Sequence, residues 1–507
     1  MSDSSDNKRI AKNSAFLYIR MLFVMCVAFY VSRIVLEALG VVNFGIYNVV
    51  GGLSAAFVFF SNSLTGTTQR YLNVEMGKND PVRIRKIFNV SLILFSGLAL
   101  VILTVGVFLG RWIVENVLVI PAANREAGVM VLYATSLSLA ATFVFSVYES
   151  VLIARENMKI YAYLGIVDGL AKLGVAFIIM HVPNRLVVYA WLLAAVQIFP
   201  RLFIAVYCRL KYTEVRHKWV WEKKLVKEFM GFSFWLVYES TVWTINDQGI
   251  NVILNIFFGP VINAARGVAA QVNNAIYNFV TNFFMAVKPQ IIKRYAMQEM
   301  ESMESLVFSS TRISWYLFLI FVLPLSLRVN YILGIWLTVV PEYSAIFVVW
   351  TLIYTMINAF NIPIWTALSA TGNMKRAGII GCNLFLLAFP LSYLALKLHA
   401  PAWSVYPILC LGRLALLFNT IQNFSRYSSI TIKSYFRKAF YPIFLVTAIA
   451  LGISFFFNSF IPDNLWGLIV FFVISAIFTV TIAFSLGVPP SERIVIISFI
   501  KNKLHKK

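Results

Sequence analysis

The sequence predicts an all-α, polytopic membrane protein of about fourteen transmembrane helices, and three observations point there. Of its 507 residues 60% are hydrophobic and only 13% charged, against roughly 45–50% and about 25% in soluble domains. The apolar residues gather into runs long enough to cross, as helices, a hydrocarbon core about 30 Å thick. The alternating segments of about ten residues that a transmembrane barrel requires are absent.

The elements follow in order. A polar tail occupies 1–12, and the apolar stretch from Asn13 to Leu36 reads as the first helix. It is too long for a secretory h-region and has no small-residue cleavage site. Helices are predicted near 45–66, 87–109, 127–149, 161–181 and 187–207. A polar segment at 208–228 separates these from helices near 229–256, 267–287, 313–333, 344–366, 378–396 and 403–423. Two more stand near 440–460 and 466–487, before a basic tail at 488–507.

The net charge of +22 invites a nucleic-acid reading, but the placement of the charges removes the need for one. Lys and Arg collect in the tails and in alternate segments: Arg70 to Lys86, Arg209 to Lys227, Lys288 to Arg312 and Arg426 to Lys438. That is the positive-inside pattern. It places both termini on the cytoplasmic side of the membrane, beside anionic lipid. The outward segments carry isolated cations such as Arg111, Arg125, Arg185 and Lys397. No segment between helices has room for a soluble catalytic domain, so the chain does not read as an enzyme. Cys26, Cys208, Cys382 and Cys410 lie in or beside apolar runs without metal-ligand spacing, as small packing residues do.

The chain also repeats itself. Leu152-Ile-Ala154-Arg-Glu-Asn157-Met158-Lys159 and Leu368-Ser-Ala370-Thr-Gly-Asn373-Met374-Lys375 agree at five of eight positions, at an offset of 216. Arg201-Leu202 and Arg413-Leu414 align at an offset of 212. A unit of six helices keeps its orientation, so the halves are predicted to be parallel repeats: one lobe at 13–207, a second at 229–423, with the last two helices an addition.

Ionisable residues at bilayer depth are costly and mark pathways or partners. Asp168 and Lys172, four apart on the fifth helix, have a bland reading as a local pair. Arg201 lies near a cytoplasmic helix end, within reach of headgroups. Arg20, well inside the first helix, has no acidic residue within four positions, and neither has Arg413 on the twelfth. Together with Arg266 and Arg33 they are candidates to bind a phosphate, because guanidinium binds phosphate bidentately and keeps its charge when desolvated. The alternative is pairing with carboxylates, Asp247 or Glu239 on another helix or Glu37 beside Arg33, and both readings stand at this point.

The seventh and eighth helices are the most polar. Glu239, Trp243, Asp247, Asn251 and Asn255 recur every fourth residue, and Gln271, Asn274, Asn278 and Asn282 mark the eighth. Interhelical hydrogen bonds are worth about 0.6 kcal/mol on average, so amides in this number suit a wet cavity wall that meets sugar hydroxyls. Helix glue is the rival reading. Asp247, with Glu239, is the candidate for coupling to protons or sodium.

Several segments carry a family resemblance: Ser32-Arg33-Ile-Val-Leu36; Leu39-Gly40; Phe44-Gly45-Ile-Tyr47-Asn48-Val-Val-Gly51-Gly52; Thr68-Gln69-Arg70-Tyr71; Phe258-Gly259-Pro260; Asn263-Ala-Ala-Arg266-Gly267; and Lys288-Pro289-Gln290. Over roughly residues 8–425 the chain resembles the Wzx-type O-antigen and capsule flippases of the multidrug/oligosaccharidyl-lipid/polysaccharide (MOP) superfamily. The resemblance implies a MATE-like fold of two lobes around a central cavity. It implies transport, by alternating access, of an undecaprenyl-pyrophosphate-linked oligosaccharide from inner to outer leaflet for surface polysaccharide biosynthesis. It implies no cofactor, and as partners membrane lipids, a polysaccharide polymerase and chain-length proteins. Related flippases carry essential arginines on the first helix and at the eighth, where Arg20 and Arg266 stand. Cation exporters place a carboxylate in the first helix, where this chain has Arg20. The rival readings are a MATE-type cation or drug antiporter and an integral-membrane polymerase or glycosyltransferase.

Overall fold

The computed structural model describes residues 2–55, 57–77, 80–155, 158–215, 222–490 and 492–494. The described residues contain no strand, and their helices group into about fourteen long stretches. The first two, α1 (2–39) and α2 (41–55, with a further stretch Val58–Gly77), meet at Gly40 within the run Ser2–Ala55. They are followed by α3 (Pro81–Asn116), α4 (Ala122–Ala154), α5 (Met158–Ile178), α6 (Arg185–Lys211), α7 (223–258) and α8 (Pro260–Ala296). Then come α9 (Met300–Leu327), α10 (Ser344–Ala370), α11 (Lys375–Lys397), α12 (Ala402–Phe424), α13 (Ile432–Asn458) and α14 (Leu465–Gly487).

Eleven stretches among the described residues are long and apolar enough to cross a membrane. One of them, Met25–Leu53, runs through Gly40 and so covers parts of α1 and α2. Large apolar side chains such as Leu100, Phe108, Phe199, Phe444 and Trp466 stand exposed on the helices. Soluble monomers seldom show apolar patches on this scale, and lipid supplies the cover. The chain is a multi-pass membrane protein.

Packing divides the chain into two compact units, Met1–Gly267 with Trp336–Glu342, and Val268–Ile335 with Tyr343–Lys507. The division falls inside α8, later than the 208–228 boundary expected from the repeat. The repeat is visible in the backbone. Gly40 (φ 74°, ψ 166°) separates α1 from α2, and Gly259 (φ 76°, ψ −173°) separates α7 from α8. An L side chain is strained at these angles, so only glycine serves cheaply. Asn184 before α6 and His399 before α12 also share positive φ, 52° and 62°.

The first unit packs Phe88, Phe95, Phe143 and Val147 at its core, with Phe88 edge-on to Tyr148 at 5.2 Å. Thr68, from the Thr-Gln-Arg-Tyr motif, is buried and reaches Ser91 of α3 at 3.3 Å. In the second unit Tyr435 of α13 is buried and donates to the Phe360 carbonyl at 2.8 Å. Trp315 of α9 donates to Thr447 at 2.9 Å. Arg328, just past α9, is buried and donates to the carbonyls of Asn458, Ile461 and Pro462, to Asn458 Oδ1 and to Asp463. The last two helices are thereby tied to α9.

Candidate functional site

The motifs quoted from the two halves of the sequence meet in the first unit, where α2 lies against the α7–α8 joint. A Cβ built on Gly45 would lie 1.8 Å from the Pro260 carbonyl oxygen, and one on Gly52 would lie 2.3 Å from Gln248 Oε1. Two glycines of α2 therefore let its backbone approach the polar face of α7 and the start of α8. A Cβ on Gly267 would press on the Asn48 side chain at 2.7 Å.

This close approach builds an amide cluster. Asn263 donates to the backbone and side-chain oxygens of Asn251, both at 2.8 Å, and accepts from Asn255 at 2.9 Å. Asn251 donates to the Asn48 carbonyl at 3.3 Å, and Asn255 accepts from the Val119 amide at 2.8 Å. All three asparagines are buried. The expectation that Asn251 and Asn255 line an open cavity is corrected: they are helix glue. The physical reason is a π-helical turn, Ile245–Gly249, which breaks the register midway along α7. Residues that share a four-residue spacing then fall into different surroundings, Asp247 exposed at the turn and the two asparagines sealed beyond it.

At that turn Arg266 Nη2 donates to Asp247 Oδ1 at 2.7 Å. The Arg266 side chain is only 13% exposed while that of Asp247 is 55% exposed. Gln248 Nε2 donates to the other carboxylate oxygen at 2.7 Å. Arg266 Nη1 is buried and has no hydrogen-bond partner among the described residues. The guanidinium has therefore left water with part of its donor capacity unused, which is costly unless something else accepts.

Arg413 sits in an aromatic slot of the second unit. Its Nε and Nη2 donate to Tyr354 Oη at 2.8 and 2.5 Å. Its guanidinium carbon lies 5.0 Å from the Tyr354 ring centre and 4.2 Å from that of Phe385. The side chain is 1% exposed, so the charge is held by ring faces and a phenol.

The other candidates are distributed around these centres. The side chains of Arg20 and Asn282 lie outside the described residues. Arg33 is exposed on α1. Glu239 and Trp243 are half-buried on α7 and engaged by neighbours. On α8 Gln271 is half-buried, and Asn274 and Asn278 are exposed. Asp168 and Lys172 form the local pair expected of them, at 2.6 Å. Arg201 turns inward to Glu149 at 3.4 Å instead of outward to headgroups. In the sequence Asn263 stands out only as part of the Asn263–Gly267 motif, although its place four residues after Gly259 could have suggested a contact. Sequence reasoning passed over Tyr354 and Phe385, whose approach to Arg413 from α10 and α11 leaves no mark on local spacing.

The comparisons with known proteins agree with this architecture. The sequence profile of the family described as polysaccharide biosynthesis protein matches residues 10–295. Among curated proteins, none is significantly similar in sequence. Among solved structures, the lipid II flippase MurJ in an inward closed conformation superposes with a TM-score of 0.71 at 14% identity, covering 92% of this chain and 98% of that one. An inward-facing multidrug resistance MATE family transporter of the MOP superfamily gives 0.68 at 12% identity, over 81% and 98%. A MOP superfamily transporter from Pyrococcus furiosus, noted for the reverse polarity of its binding pocket, gives 0.57 at 13% identity, over 81% and 95%. The chain belongs to the polysaccharide biosynthesis protein family and has the fold of the MOP superfamily transporters.

Proposed function

We propose that the chain is a flippase that carries an undecaprenyl-pyrophosphate-linked oligosaccharide from the inner to the outer leaflet of the bacterial inner membrane by alternating access. Membership of a polysaccharide biosynthesis family and a transporter fold favour translocation over covalent chemistry. The observation that carries the reading is Arg266, a largely buried guanidinium with one nitrogen on an exposed carboxylate and another with no acceptor among the described residues. A phosphate offers several acceptor oxygens and suits the planar fork of arginine. Asp247 then acts as a stand-in for the cargo's charge, yielding Arg266 when the pyrophosphate arrives.

Arg413 supplies a second desolvated cation, and Arg20 and Arg33 on α1 complete the cationic set. Gln271, Asn274, Asn278 and Asn282 on α8, with Trp243, are the proposed sugar contacts. Asp247 and Glu239 are the proposed route for coupling to protons or sodium. A polysaccharide polymerase and chain-length proteins are the proposed receivers of the product.

A second reading, a MATE-type antiporter for cationic drugs, draws support from the exposed carboxylate of Asp247. Parallel uptake assays in proteoliposomes separate the two. The flippase reading expects translocation of labelled lipid-linked oligosaccharide and none of a lipophilic cation, and the reverse outcome would establish the antiporter.

A further inference from the structure

We infer that the second unit carries a binding site for the phosphate of an anionic lipid headgroup, formed by the turn after α10 and the end of α12. A cavity of about 450 Å³ lies there. Asn373, Lys375 and Arg376 line one side, and Arg426 and Tyr427 line the other, with no carboxylate among the described lining residues. Arg376 and Arg426 make no ion pair or hydrogen bond among the described residues. Helix α11 begins at this wall with no side chain capping its first amides, so its partial positive charge adds to that of the two arginines.

The site uses the repeated motif, Thr371-Gly-Asn373-Met374-Lys375, which the transport reading leaves without a role. The corresponding region of the first unit shows what such cations do when they are occupied. Lys211 donates to Tyr207 at 2.7 Å and lies over its ring, and Arg155 lies over the Tyr212 ring at 5.6 Å. Arg426-Tyr427 stands 215 residues after Lys211-Tyr212, yet its arginine faces an open cavity.

The apolar part of the wall selects a lipid over a soluble phosphate. Ile379 and Ile380 line the cavity. Ile380, Leu384, Leu387 and Leu391 are all exposed on α11, at spacings that keep them on one helix face. They form an apolar track leading away from the cations, as acyl chains below a bound headgroup require. On the positive-inside reading both lining segments stand on the cytoplasmic side, where anionic lipid draws basic clusters. The inference is independent of the proposed cargo.

The test uses full-length protein in a neutral detergent, titrated with short-chain phosphatidylglycerol, phosphatidylcholine and inorganic phosphate in separate arms. Phosphatidylglycerol is expected to bind best. Arg376→Gln/Arg426→Gln is expected to weaken it about thirtyfold, at about fivefold for each cation near an anionic surface. Lys433→Gln/Arg437→Gln, which removes the same charge from exposed positions outside the cavity, is expected to leave binding within twofold. Arg376→Lys/Arg426→Lys is expected to restore most of it and so exclude misfolding as the cause. Equal loss in both glutamine pairs, unchanged binding in the cavity pair, or inorganic phosphate binding as tightly as the lipid would each overturn the inference.

Discussion

Arg266 and Asp247 meet at 2.7 Å across the α7–α8 joint, the arginine largely buried and the carboxylate more than half exposed. The two partners therefore lose very different amounts when the contact opens. Asp247 can return to water at little cost, whereas Arg266 needs a replacement acceptor. On the proposed function, this asymmetry lets the pair act as a gate for an anionic ligand.

Asp247→Asn follows directly. A pair with one exposed partner is worth about 0.2–1 kcal/mol, so thermal unfolding in detergent should change little. Binding of undecaprenyl pyrophosphate should tighten several-fold, because Arg266 loses its competitor. Weaker binding in this variant would show that the carboxylate does not compete with the cargo.

The amide cluster gives a stability prediction. Asn263→Ala removes bonds to Asn251 and Asn255 and leaves buried groups without partners, each at about 1–3 kcal/mol. A loss of roughly 2–4 kcal/mol is expected, read as a lower unfolding midpoint. Gly45→Ala is expected to be worse, since its Cβ would overlap the Pro260 carbonyl, a backbone atom that cannot swing aside. Normal yield and melting of Gly45→Ala would contradict the close approach of α2 to the joint.

These residues show how far the sequence could be read. Apolar runs located the helices because each is set by its own composition, and the repeat reappears as paired glycines at Gly40 and Gly259. The environment of a polar stripe was not legible. Asn251 and Asn255 look like cavity residues by spacing, but a π turn and a glycine-flanked helix 200 residues earlier seal them. Arg413 was visible as a buried charge, while its aromatic slot was not, because Tyr354 and Phe385 arrive through tertiary packing.

Arg413→Lys tests that slot. An ammonium cannot make the paired bonds to Tyr354 Oη and still lie flat between two rings. Initial transport rates should fall at least tenfold, whereas Tyr354→Phe, which keeps both ring faces, should cost less. Equal rates for Arg413→Lys and wild type would remove the guanidinium from the mechanism.

Arg328→Ala should act on stability alone. Removing five donated bonds from a buried arginine is expected to cost about 3 kcal/mol. Limited proteolysis should then open the link between α13 and α14 first. The surviving folded fraction should transport at the normal rate, and a selective loss of transport would place Arg328 in the path instead.

The most direct measurement of the central claim is the rate at which labelled lipid-linked oligosaccharide crosses the bilayer of proteoliposomes holding wild type or Arg266→Ala. The expected result is protein-dependent flipping by the wild type, reduced at least tenfold in the variant, with both proteins equally folded. Flipping by Arg266→Ala at the wild-type rate would contradict the cationic gate, and its absence in the wild type would contradict the function itself.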